Sequence, residues 1–246
     1  MSMLEQTASR YRSLKLTTTA SQLADLIAQA EANEISYLSF ADQLVSNELN
    51  HRLHTRVQRN FRQAGFPARK FLEDFDYRHQ TTITKRQINS LLDFNFIDDR
   101  NNLIFIGPPG VGKTHLAIGI GIKAIEAGYK ILFRNALDLV EDLEMFEMKG
   151  ELKKRISQIS KYDLIIIDEL GYLPMLQQAR YNLFQLINAL YEFRSIVLTT
   201  NKDFTSWGDF FHNDNVAIPI VDRIIHHSHI FMMGGESYRI KEKMKI

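Results

Sequence analysis

From Asn101 onward the chain alternates short, nearly continuous apolar runs with amphipathic stretches. The apolar runs "NLIFIG", "KILFRN", "DLIIIDE", "SIVLTTN" and "HIFMMG" read as strands, and helices are expected to begin near Thr114, Ala136, Glu151, Gln177 and Asn215. That alternation predicts an α/β fold, a parallel sheet covered by helices on both faces. The earlier part follows a different rhythm. Residues 20–62 read as helical, and in "SYLSFADQLVSNELNHRLHTRVQRNF" Leu49, Leu53, Val57 and Phe61 recur every fourth position as one apolar stripe. Arg52, Arg56, Arg59 and Arg62 fall on another arc of the same helix, so one face can pack while the other stays basic. "AGFPARK" breaks the pattern through Gly65 and Pro67, and "EDFDYRHQTTITKRQ" reads as a connector into the short helix "QINSLLDF". The expected organisation is a small all-α domain over 1–72, a linker over 73–90 and the α/β domain over 91–246.

Composition narrows the setting. The 246 residues are 45% hydrophobic and 24% charged, ordinary for a globular protein, and no apolar run approaches the roughly 18 to 20 residues a bilayer span needs. The first residues lack the apolar run of a secretory signal, so a cytoplasmic protein with no membrane partner is expected. Without cysteine there is neither a disulfide nor cysteine-ligated zinc. The net charge of +1 hides a segregation. Between Ser21 and Asn50 stand Asp25, Glu31, Glu34, Asp42 and Glu48 with no Lys or Arg, whereas His51 to Lys70 is basic and holds no acid.

Between the first strand and its helix lies "GPPGVGKTHLA". Gly107, Gly110, Gly112, Lys113 and Thr114 fit G-x-x-x-x-G-K-[ST] in full, and with Pro108, Pro109, Val111 and His115 they make up the expected nucleotide-binding loop. Glycines let backbone N–H groups approach phosphates, Lys113 reaches the β and γ oxygens, the Thr114 hydroxyl binds Mg²⁺, and the following helix offers its positive end. The "LIIIDE" strand supplies Asp168 for Mg²⁺ and Glu169 to polarise water at the same carboxyl edge. Asn201, ending "LTTN", is expected beside Glu169, with a simple turn residue as its alternative. "TNKDF" superficially matches a guanine-reading N-K-x-D, but Phe204 stands where Asp is required, so ATP is expected.

Taken together, "NEISYLSFADQLVSNEL", "FIGPPGVGKTHLA", "LIIIDELGYLP", "LTTNKDFTSWGDFF", "VDRIIHHS" and "GGESYRIKEK" resemble the AAA+ superfamily and, within it, the IstB-like helper ATPases of bacterial insertion sequences, relatives of the DnaC helicase loader and the DnaA initiator. The resemblance implies an ATPase that self-assembles on duplex DNA as a ring or helical filament. It further implies recruitment of a transposase, hydrolysis that drives disassembly or remodelling, and a bacterial, nucleoid-associated setting. It gives Arg223, in a D-R-[LI] motif, the role of a finger reaching a neighbour's ATP, against the alternative of a pair with Asp222 or another acid on a helix surface. Thirteen residues follow Met233, so a C-terminal helical lid is expected to be absent, with Arg239 as the candidate second sensor. Two other functions stay open: a DnaC-like helicase loader and, from another class, a small-molecule kinase.

Two basic helices are candidate nucleic-acid contacts: Arg52, Arg56, Arg59 and Arg62 in the first part, and Lys149, Lys153, Lys154 and Arg155 of "MKGELKKRISQISK". Packing against the acidic segment is the alternative for the first, and a solvated helix for the second. His226, His227 and His229 have no Cys or carboxylate cluster beside them in sequence and are not expected to hold metal. Trp207 and the phenylalanines of "SWGDFF" are expected to pack.

Overall fold

The computed structural model describes residues 1–171, 177–203, 206–207 and 214–243; most of "SWGDFF" lies outside them. Packing divides the chain into two compact units, Met1–Arg59 and Asn60–Ile246.

The first unit contains α1 (Met3–Ser13), α2 (Thr17–Ala32) and most of α3 (Tyr37–Ala64). Helix α1 lies outside the periodic stretch that begins at residue 20; its signature is a capping box, Ser2 and Glu5 each bonding the other's backbone N–H. Helix α2 starts at Leu16, which has no capping side chain. Glu48 of α3 performs that task from a distance, its carboxylate accepting the N–H groups of Thr18 and Thr19 at 3.0 and 3.1 Å. Arg52 completes the arrangement, bonding Glu48 at 2.9 Å and the Lys15 carbonyl at 2.5 Å. The α3 stripe differs from the expected packed face. Leu49 and Leu53 are 60% and 44% exposed, whereas Phe61, just past the boundary between units, meets Phe66, which meets Phe133. Fourfold spacing identifies a face but not what covers it.

In the second unit, residues 73–90, expected as a linker, lie against the body. Ile83 and Ile88 are buried and Gln80 is 3% exposed. A 3-10 turn (Leu72–Asp74), α4 (Lys85–Asn89) and α5 (Asn95–Asp98) are the regular pieces before the sheet. The strands are β1 (Asn102–Ile106), β2 (Ile131–Asn135), β3 (Leu164–Leu170), β4 (Ser195–Thr200) and β5 (Ser228–Met232). All pair in parallel, in the order β2-β3-β4-β1-β5. The helices are α6 (Lys113–Glu126), α7 (Ala136–Met148), α8 (Leu152–Ile159), α9 (Gln177–Leu190), α10 (Asp214–His226) and α11 (Tyr238–Lys243). Every residue of β1 and β4 is buried, which is why they read as unbroken apolar runs. Alternate strand residues, among them Ile104, Ile165, Ile167 and Leu198, join Leu143, Leu186, Leu190, Ile220 and Trp207 in one apolar cluster, while α6 packs on β2, β3 and β4. Parallel pairing gathers all five carboxyl ends at one edge. Among the described residues no helix is long and apolar enough to cross a membrane.

Candidate nucleotide-binding site

The loop after β1 turns back under tight steric limits. A Cβ on Gly107 would sit 2.0 Å from the Met233 carbonyl oxygen; Gly112, at φ +101°, caps α6, and a Cβ there would meet the Phe75 ring at 2.6 Å. Neither position admits a side chain without a shift. Lys113 begins α6 and bends back, donating to the Gly107 and Pro108 carbonyls at 2.7 and 2.8 Å. Burial pulls its pKa below the ordinary value, opposed by the charges of Asp168 and Glu169 and reinforced by Arg239.

Asp168, 5% exposed, lies at the end of β3 beneath Thr114. The Thr114 hydroxyl donates to its carboxylate at 2.8 Å, and Thr199 of β4 donates at 2.6 Å. Thr199 also accepts the Glu169 N–H at 2.8 Å. The strand bulges here: Ile167 pairs with Leu198 and Leu170 with Thr200, so β3 carries an extra residue between them. Glu169 takes the left-handed conformation, φ +62°, uncommon for a side chain of its size. The bulge sends two successive acids in different directions, Asp168 into the protein and Glu169 to the cavity. Asn135, at the end of β2, donates to Glu169 at 3.1 Å.

A cavity of about 380 Å³ opens over this edge. Pro109, Gly110, Val111, Gly112, Lys113, Thr114, His115, Glu169 and Arg239 of the expected set line it. The opposite wall comes from 70–80 and from Tyr238, whose ring meets His79 edge-on at 5.5 Å. His115 bonds the Phe71 carbonyl at 2.6 Å. Asn201 is half-buried at the end of β4, and its buried Oδ1 has no hydrogen-bond partner among the described residues. A buried carboxylate and a hydroxyl make an oxygen set suited to a hard divalent cation, and Asp168 forms no ion pair among the described residues.

Arg223 is elsewhere. It sits near the end of α10 at the amino edge of the sheet, stacked over Phe184 and Tyr191 at 5.2 and 5.9 Å and bonded to the Pro219 carbonyl. Among the described residues it forms no ion pair with Asp222. Of the basic residues, Arg52 serves Glu48, Lys154 pairs with Glu151, Arg155 pairs with Asp142 and lies over Phe146, and Lys149 lies over the same ring. Arg56, Arg59, Arg62 and Lys153 are exposed. His226 bonds the Tyr191 hydroxyl at 2.9 Å. Thr199, Asn135 and Gln80 were not singled out from sequence, although the alignment of strand ends marks the first two: Asn135 is in register with Asp168.

A phosphate loop after the first strand of a parallel sheet ordered β2-β3-β4-β1-β5, with an Asp-Glu pair ending β3, defines a P-loop protein of the AAA+ fold. Among solved structures, DnaA from Aquifex aeolicus bound to AMPPCP aligns with a TM-score of 0.56 at 22% identity, covering 71% of this chain and 54% of that one, so the match spans about half of DnaA. The DnaC helicase loader aligns at 0.52 and 20% identity, covering 60% of this chain and 86% of that one. These likenesses show the fold. Residues 9–246 match the model of the family described as IstB-like ATP binding protein, and the chain belongs to that family. Relatives include proteins named as ATP-binding proteins of insertion sequence IS5376 from Geobacillus stearothermophilus, 39% identical over 94% of this chain and 92% of its own, and of IS21 from Pseudomonas aeruginosa, 38% identical over 94% and 88%.

Proposed function

We propose that the protein is an ATP-hydrolysing helper of transposition that assembles on duplex DNA, recruits a transposase, and uses hydrolysis to release or remodel the assembly. The observation that carries this reading is the split of the acid pair at the β3 bulge, one carboxylate held by hydroxyls and the other presented to the phosphate loop. Mg²⁺, held by Thr114 and Asp168, would supply charge neutralisation at the phosphates. The chain's own residues do the rest. The loop amides and Lys113 hold the β and γ oxygens. Glu169, kept in place by Asn135, takes a proton from the attacking water. Asn201 offers its amide near the γ-phosphate, and Arg239 lies across the cavity as a second sensor. Arg223 is too far from its own loop to assist, since β1 alone separates the two edges by about 15 Å. It is therefore assigned to a neighbouring copy's site, where a guanidinium offered in trans would make turnover depend on assembly.

Relatives named after insertion sequences support the transposition setting, and the exposed Arg56, Arg59, Arg62 and Lys153 supply sequence-independent contacts to a phosphate backbone. The test is the ATPase rate with and without duplex DNA, read beside the mass of the assembly. Both are expected to rise when ATP and duplex are present together. A rate and mass indifferent to DNA would overturn the proposal; stimulation confined to single strands would favour a helicase loader, and turnover that follows a metabolite instead would favour a kinase.

A further inference from the structure

Gln80 is 3% exposed and uses all of its hydrogen-bonding capacity, its nitrogen on two segments far from it in sequence and its oxygen on nearby Thr82. Its Nε2 donates to the Val111 carbonyl at 3.1 Å and to the Gly234 carbonyl at 3.0 Å. Its Oε1 accepts from the Thr82 N–H at 3.1 Å and the Thr82 hydroxyl at 2.7 Å, and that hydroxyl accepts the Gly234 N–H at 3.1 Å. One amide thus joins the phosphate loop to the connector between β5 and α11, the connector that leads into α11 and its Arg239.

The bond to Val111 has a directional consequence. A trans peptide carries its C=O and N–H on opposite sides. With the Val111 carbonyl held by Gln80, the N–H of Gly112 is aimed the other way. The preceding peptide is treated alike, because the Gly110 carbonyl accepts the Tyr238 N–H at 3.0 Å, which turns the Val111 N–H away from the connector. Among the described residues neither N–H donates to a protein acceptor. Holding these carbonyls leaves two adjacent N–H groups for the phosphates, with their reorganisation cost already met by the fold.

We propose that Gln80 is a positioning residue: it fixes the Val111–Gly112 peptide with its N–H toward the bound phosphates and couples that peptide to the segment bearing Arg239. This rests on the nucleotide reading of the loop and adds to it a residue that touches neither phosphate nor metal. Because a fixed amide serves bound ATP and its transition state alike, losing it weakens binding more than it slows the bound complex.

The test uses the full chain, with affinity for ATP in the presence of Mg²⁺ and steady-state turnover measured for the wild type, Gln80→Met and Gln80→Glu. Methionine keeps the length and removes the polar atoms. Gln80→Met is expected to weaken ATP binding and raise KM by about tenfold, with kcat at saturating ATP within about threefold of wild type. Glutamate donates a hydrogen only when protonated, and facing two carbonyls its pKa is expected to rise from the usual value of about 4.3. Gln80→Glu should therefore bind ATP poorly at pH 8.5 and recover several-fold at pH 6, relative to wild type at each pH. A Gln80→Met protein within twofold of wild type in affinity overturns the inference. So does a Gln80→Glu protein whose loss is the same at both pH values, and that arm decides the matter if the methionine variant does not fold. A wild-type protein that fails to bind ATP overturns the nucleotide reading itself, which separates the two failures.

Discussion

Two carboxylates with almost no exposed surface, Glu48 in the first unit and Asp168 set far deeper in the second, are treated in opposite ways. Glu48 is 3% exposed and Asp168 5%. Burial pushes the Glu48 pKa up, but the N–H of Thr19, the Arg52 side chain and the N–H of Thr18 outweigh it and hold the carboxyl below its ordinary value. Burial also pushes up Asp168, and there it wins: the hydroxyls of Thr199 and Thr114 pull down less, and the neighbouring Glu169 charge adds to the rise against the pull of Lys113. Glu48 is satisfied by its own chain, with a helix end and a guanidinium. Asp168 is hydrogen-bonded only by hydroxyls, beside a second acid, with Lys113 as a positive charge that forms no ion pair with it. A buried charge left short of positive partners is a functional candidate, and the contrast within one molecule separates an acid that builds a fold from one for which a cation-holding role is proposed.

Changing each acid to its amide tests that distinction most directly. Asp168→Asn is expected to reduce Mg²⁺-dependent ATP turnover by at least about a hundredfold, while thermal stability holds or rises by up to about 1 kcal/mol because a charge repulsion is relieved. A cooperative loss of stability in that variant would place Asp168 with Glu48. Glu48→Gln should show the reverse, about 2 kcal/mol lost from the first unit in denaturant or hydrogen exchange, with ATP affinity unchanged. The pH dependence sharpens this. The folded pKa of Glu48 lies below its ordinary 4.5, so its contribution is fully present above that value and is lost as pH falls through the folded pKa. An acid-unfolding titration should show a stability slope below pH 4.5 that is shallower in the glutamine variant. The smallest effect is expected for Asn135→Ala. It removes the hydrogen bond to Glu169 and the cap on the Leu137 N–H at the start of α7, about 1 kcal/mol each, and should change turnover a few-fold with a small loss of stability and no change in ATP affinity; equal changes in turnover and affinity would mean that Asn135 supports the loop.

The strands, the major helices of the second unit and the phosphate loop were legible because each depends on local pattern: buried parallel strands must be apolar, and the loop glycines recur at a fixed short spacing. What escaped depends on tertiary placement. Gln80 sits in a stretch whose composition reads as connector, and nothing in "RHQTT" announces that its amide meets Val111 and Gly234. Thr199 looks like any β-branched residue in a strand until the β3 bulge brings it between two acids. The Arg52–Arg62 row was visible, yet its first member belongs to Glu48, because a cation near an acid four residues earlier pairs within its own helix.

Arg223 and Lys113 stand at opposite ends of the parallel strands, and in the proposed assembly on DNA, with Arg223 serving a neighbour's site, that polarity would limit how copies meet. A patch that must touch a different patch on the next molecule cannot be satisfied around a twofold axis, where like meets like. Each contact of this kind leaves one free donor end and one free acceptor end, so growth has a direction. It stops only when a rotation returns the last copy to the first, or when the underlying polymer runs out.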